Sequence, residues 1–180
     1  MQSIFKNERT ISLVSFLGAL SLFLSAIEYI IRKPVPFFRI GLANLSVLLA
    51  LRLLSPGATI FLVLIKVIGQ GLIQGTLFSY VFLFSVTGSF SSILVMIFLY
   101  LLLKNRVSLI GISIAGALTS NMVQIFMARI FVFGKSAWLI APPFIAVGLV
   151  SGFLLGMFAE TFWNKSEWVK QVIRETGNGS

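Results

Sequence analysis

Apolar stretches of about 18 residues or more, separated by only short polar breaks, run through almost the whole chain. A stretch of that kind has few places to go. In hydrocarbon every backbone N–H and C=O must be satisfied within the segment, which a helix does and an open strand or loop does not. Six spans can be drawn, over residues 11–31, 40–54, 58–78, 80–103, 108–132 and 137–163. A content of 58% hydrophobic and 11% charged residues, with a mean hydropathy of +1.03, lies outside the range of soluble domains. The expectation is an all-α integral membrane protein: one membrane domain over residues 1–180, six transmembrane helices, short tails, and the lipid bilayer as surroundings. Lys6 and Arg9 before the first run resemble a signal peptide, but the run continues past Glu28 through Ile31, so it reads as a retained helix.

Missing residue types narrow the chemistry. There is no Cys, His or Asp, and the acids are Glu8, Glu28, Glu160, Glu167 and Glu175. That excludes a thiolate or imidazole metal site, disulfides, and cysteine or histidine catalysis. No Gly-x-x-x-x-Gly-Lys-Ser/Thr loop occurs, so energy-driven work requires a partner. The reading is a non-enzyme with no metal and no cofactor. The net charge of +9 is spread along the membrane boundaries, without the long basic segment that would indicate nucleic acid.

Cation counts give an orientation. With a cytoplasmic amino terminus, Lys6, Arg9, Arg52, Lys104, Arg106, Lys165, Lys170 and Arg174 fall inside, and Arg32, Lys33, Arg39, Arg129 and Lys135 outside. The inside excess favours two cytoplasmic termini. Tyr29, Tyr80 and Trp138 then mark the outer boundary, and Tyr100, Trp163 and Trp168 the inner one.

Within the third run, Lys66, Gln70 and Gln74 recur every four residues, which puts them on one helix face with a drift of about 40° per step. A lysine at a transmembrane helix centre costs about 2.5–3.5 kcal/mol on insertion scales, so it normally faces a protein interior or an aqueous cavity. In the orientation above, these side chains share the outer half of the membrane with Asn44 on the second helix and Ser120, Asn121 and Gln124 on the fifth. The arrangement predicts a polar pocket opening outward above an apolar floor. Interhelical ties of about 0.6 kcal/mol each are the competing account of the three amides Asn44, Asn121 and Gln124. The connection from Arg32 to Arg39, stiffened by Pro34 and Pro36, either lines the pocket mouth or anchors in headgroups while Glu28 pairs with Arg32.

Small-residue pairs four apart allow close helix approach: Ser15 and Ala19, Ser21 and Ser25, Gly71 and Gly75, Gly148 and Gly152, Gly152 and Gly156. Most read as internal packing. One row is a candidate for a partner protein.

Three strings carry a resemblance: Phe38-Arg39-Ile40-Gly41-Leu42-Ala43-Asn44-Leu45, then Gly69-Gln70-Gly71 with Gly75-Thr76-Leu77-Phe78-Ser79, then Gly116-Ala117 leading to Asn121 and Gln124. From about Ser12 to Phe162 the chain resembles the Gx transporter family, also labelled heptaprenyl diphosphate synthase component I. In size and helix number it is similar to the substrate-binding S components of energy-coupling factor (ECF) transporters. Relatives commonly carry histidine where this chain has Ser120. The resemblance implies an ECF S-component-like bundle in a bacterial cytoplasmic membrane. Such a subunit binds a small molecule from outside and docks on a coupling module of one transmembrane protein and two ATPases, with Ser15 and Ala19 as the docking face. On this reading Arg39 and Lys66 neutralise a polar or anionic ligand, and Asn44, Gln70, Gln74, Asn121 and Gln124 orient it. The synthase label meets an obstacle in the residues. Prenyl elongation uses aspartate clusters to hold magnesium, and there is no aspartate here, so the alternative role is a non-catalytic membrane accessory of prenyl diphosphate or quinone metabolism, or of a related electron-transfer system.

Overall fold

The computed structural model describes residues 8–30, 41–103 and 107–177, and no strand occurs among them. The helices are α1 (Glu8–Ile30), α2 (Asn44–Leu53), α3 (Pro56–Ile73), α4 (Tyr80–Leu103), α5 (Leu109–Ala128), α6 (Ala137–Lys165) and α7 (Glu167–Gly177). Four helical segments among the described residues are long and apolar enough to cross a membrane: α1, α3, α4 and the continuous stretch Leu109–Lys165 that contains α5 and α6. Side chains are distributed inside out. Phe98, Leu102, Phe126, Leu139 and Phe158 are exposed, whereas Glu28, Lys66, Gln70, Asn121 and Gln124 are buried. Water as the surrounding solvent would favour the opposite. This is a multi-pass membrane protein.

Local chemistry sets the boundaries. Ser55 and Ser108 cap α3 and α5, accepting the Ala58 N–H at 3.4 Å and the Gly111 N–H at 3.2 Å, and Pro56 opens α3 with the φ a first turn needs. The third run stops earlier than its apolar length suggests. Gly75 adopts φ +64°, the Thr76 N–H reaches the Gly71 carbonyl at 2.9 Å and the Gly75 N–H the Leu72 carbonyl at 3.1 Å. This left-handed glycine closure satisfies the last carbonyls and ends the helix at Ile73. Gly75 is therefore a helix stop and not the second member of a packing pair. α5 loosens into a π-helical turn, Arg129–Phe133, and a 3-10 turn, Gly134–Ser136, with Gly134 at φ +55° before α6 begins.

The second helix departs most from expectation. It occupies Asn44–Leu53 instead of 40–54, about 15 Å at the usual helical rise, which is half a bilayer core. Residues Ser46 through Leu51 are all buried, and α2 touches α1, α3, α4 and α6. It is a short central pillar, ringed in the order α1, α3, α4, α5, α6. Contacts are densest along α4, α5 and α6. Gly152 and Gly156 make the α5–α6 approach possible: a Cβ on Gly156 would stand 2.5 Å from the Ile110 Cα.

Three apolar clusters fill the bundle among the described residues. One joins Leu48, Val63, Val67, Ile93, Met96, Leu109 and Ile112, with Tyr100 and Trp163 at its edge; a second joins Val81, Phe84, Ile125, Ala141 and Phe144; the third joins Val14 and Leu17 of α1, Leu49 and Ala50 of α2, and Ala58 and Leu62 of α3. Beside the first, the Glu160 carboxylate accepts the Leu109 N–H at 2.7 Å and lies 4.0 Å from Arg52, whose guanidinium sits 5.0 Å from the Trp163 ring. The residues after 163, expected as a tail, form α7. Ser166 accepts the Val169 N–H at 3.4 Å, Val169 is buried, and the Trp168 ring lies 5.2 Å from Phe16 of α1.

A methyl at Gly156 would press on the Ile110 backbone and the Ser113 Cβ, neither of which can swing aside, so Gly156→Ala is expected to destabilise the bundle by about 1–3 kcal/mol. Gly111→Ala, at an exposed position in α5, is expected to be neutral or to stabilise by up to ~1 kcal/mol. Unfolding of the two purified variants in one detergent checks the contrast.

Candidate functional site

Between the first two of these apolar clusters lies a layer of polar side chains. Glu28, Asn44, Lys66, Gln70, Ser89, Ser120, Asn121, Gln124 and Ser151 line one small cavity of about 30 Å³, together with Gly41, Ala43 and Ala117. Lys66 is 5% and Gln70 2% exposed. Their i, i+4 spacing on α3 places both on this cavity, and the Lys66 Nζ donates to the Asn44 Oδ1. Asn121 donates its Nδ2 to the Phe144 carbonyl of α6 at 2.7 Å, and Gln124 donates its Nε2 to the Ser120 Oγ at 3.0 Å.

Five of the seven residues expected in the site meet here: Asn44, Lys66, Gln70, Asn121 and Gln124. Gln74 does not line the cavity. It is the C-cap residue of α3, one turn beyond Gln70, whose carbonyl accepts its N–H at 3.1 Å, and its Nε2 is buried without a partner among the described residues. Arg39 and the rest of the connection from Arg32 lie outside the described residues. Ser15 and Ala19 are exposed on α1, whereas Ser21 and Ser25 are fully buried, so only the first of these rows is available to another molecule.

Glu28 is the site residue that the sequence reading missed. Its side chain is fully buried in α1, and its Oε2 accepts the N–H of Gly41 at 3.1 Å and of Leu42 at 2.9 Å. Gly41 has φ +87°, a left-handed conformation that glycine adopts without a Cβ penalty. The carboxylate thus holds the turn that leads into α2 and fixes where Asn44 begins. The rule that singled out Lys66, a charge inside an apolar run, applies equally to Glu28.

Two glycines make room for the amides. A Cβ on Gly148 would collide with the Asn121 Nδ2, and one on Gly88 would stand 2.8 Å from the Gln124 Nε2 and 2.9 Å from the Ser120 Oγ. Gly148, paired with Gly152 as a packing row, also accommodates a site side chain. Among the described residues no cluster of His, Cys, Asp and Glu could hold a metal ion. The arrangement offers a buried ammonium, a buried carboxylate and several amides, which is hydrogen-bonding chemistry.

A family model described as heptaprenyl diphosphate synthase component I matches residues 17–162. The chain belongs to that family. The match covers every residue lining the cavity. No curated protein and no solved structure matches the chain.

Hydrogen bonds to a charged group are worth about 1.5–3 kcal/mol. Glu28→Leu is therefore expected to destabilise the protein by at least that amount, about 1.5–3 kcal/mol, and Glu28→Gln by less, because an amide oxygen still accepts. Denaturant or thermal unfolding in detergent measures both.

Proposed function

We propose that this member of the heptaprenyl diphosphate synthase component I family is a membrane-embedded binding subunit for a small polar or anionic molecule. One observation carries the reading: Lys66, Gln70, Asn44, Asn121 and Gln124, from four helices and far apart in sequence, line a single buried cavity. Packing alone would not require their convergence. Interhelical ties made singly would scatter along the bundle. α1, α3, α4, α5 and α6 are each of spanning length, and α2, too short to cross on its own, would supply the helical part of a sixth crossing in a bundle with both termini in the cytoplasm. The absence of a nucleotide-binding loop and of aspartate supports a non-catalytic subunit that draws energy from partner ATPases, as an ECF S component does. The exposed Ser15 and Ala19 on α1 would be its docking face.

The family description favours a second reading, a non-catalytic accessory of prenyl diphosphate or quinone metabolism. That role does not call for a ligand in the polar layer.

Thermal unfolding of the detergent-purified protein across vitamins, flavins and prenyl diphosphates separates the two. A compound that raises the midpoint is expected to lose roughly tenfold or more in affinity in Lys66→Met and in Asn44→Ala. No stabilising compound, with both variants folded, sinks the binding reading. Coupling has its own assay. Co-purification of an ATPase pair with the wild type, lost in Ala19→Leu, is the expected result, and retention in the variant would remove α1 from the docking face.

A further inference from the structure

The polar cavity has an apolar neighbour. A groove of about 690 Å³ follows the seam between α1 and α6, walled by Leu24, Leu42, Leu45, Val150, Leu154 and Phe158 among others. The backbones of α1 and α6 scarcely approach each other among the described residues, and Leu24 of α1 stands in the groove's wall without closing it. Groove and cavity share a wall. Ser151 lines both, and Gly41 lines the cavity while Leu42, the next residue, lines the groove. The Glu28 carboxylate holds the N–H of each.

We propose that the site takes a single-chain lipid alcohol, its hydroxyl in the polar cavity and its chain in the α1–α6 groove, reached sideways from the bilayer. The proposal rests on the reading of this cavity as a ligand site and narrows the ligand's chemistry.

Size selects the head. A cavity of about 30 Å³ has room for roughly two water-sized groups, far less than a phosphate or a sugar needs. Charge selects it again. The Glu28 carboxylate lines the cavity, and a neutral head avoids placing a second anion beside it in a buried site. A diphosphate would bring several negative charges next to Glu28.

Hydrogen bonding makes the third selection. The Gln124 Oε1 is buried without a partner among the described residues, while the same amide's Nε2 is already committed to Ser120. An acceptor in that position calls for an O–H or N–H donor, which an alcohol supplies and an ester or ether does not. Among the described residues the groove's wall carries no charge, and its one hydroxyl there, that of Ser151, donates to the Gly148 carbonyl at 3.3 Å.

Thermal unfolding in phosphatidylcholine nanodiscs tests this, with 1-dodecanol, dodecyl phosphate and glycerol as probes. 1-Dodecanol is expected to raise the midpoint by several degrees, and the other two to have little effect. Val150→Trp narrows the groove at a residue that is 60% exposed and so tolerates the change; Gln124→Leu removes the acceptor. Each is expected to weaken 1-dodecanol roughly tenfold or more. Equal stabilisation by dodecyl phosphate, or a 1-dodecanol effect unchanged in both variants, overturns the lipid-alcohol assignment. A tail-less compound that stabilises through Lys66 while 1-dodecanol does nothing overturns it too, but leaves the binding reading standing. Silence from these probes and from the whole compound panel ends both.

Discussion

Burying Lys66 and Glu28 in a protein surrounded by hydrocarbon leaves the chain little choice about how to fold. Neither charge can reach water cheaply, and in a medium of low dielectric each must be met by hydrogen-bonding groups from the chain itself. Glu28 is met by the N–H groups of Gly41 and Leu42, Lys66 by the carbonyl oxygen of Asn44. All three partners belong to the turn and first residue of α2. The short central helix is consequently held from α1 on one side and α3 on the other, and a helix too short to span the membrane acquires a fixed depth. The layer of amides on α5 then faces that fixed point.

The same constraint explains why glycine recurs where α4, α5 and α6 meet. Amide side chains need backbone or hydroxyl partners on neighbouring helices, and those partners are reachable only if the facing helix carries no side chain at the contact. Gly148 lets Asn121 reach the Phe144 carbonyl, and Gly88 leaves space for Gln124 beside Ser120. Farther along, Gly152 and Gly156 let the α5 backbone come close with no polar group involved. A single row of small residues thus serves a site at one end and packing at the other.

Helix identity was legible because hydrophobic length is a one-dimensional property. The runs assigned to α1, α3, α4, α5 and α6 all hold helices, with ends displaced by a few residues. The displaced ends have physical causes that hydropathy does not register. Gly75 is an apolar-tolerant residue on a hydropathy scale and a helix stop by its φ. Gln74 is the C-cap residue just before that stop, one turn beyond the cavity-lining Gln70. At the start of α2 a left-handed Gly41, pinned by a carboxylate 13 residues earlier, replaced the helical turn that the Ile40–Leu45 pattern suggests. α7 escaped notice because it is short and charged; its burial comes from Trp168 and Val169 meeting other elements, and contact at that sequence distance leaves no local signal. In the site, Lys66, Gln70, Asn44, Asn121 and Gln124 were legible because polarity inside apolar runs is rare. Glu28 carries the same signal, but a local partner, Arg32 four residues on, offered a sufficient explanation for it.

Cavity size bears on how such a site could be filled. Ligand pockets typically run to about 300–1,000 Å³, whereas the polar space here is about 30 Å³. A ligand of ordinary size entering between α4, α5 and α6 would part helices joined along close glycine-mediated contacts. Separating them would expose the amides to hydrocarbon and break the Asn121 bond to α6. The seam between α1 and α6 offers less resistance, since these helices scarcely touch and the groove between them already exists. Movement there leaves the α5 amides paired and disturbs chiefly the turn that Glu28 holds. For the lipid alcohol proposed above, the low-cost way in is therefore past Leu42 and Ser151, the two residues through which the apolar groove adjoins the polar layer.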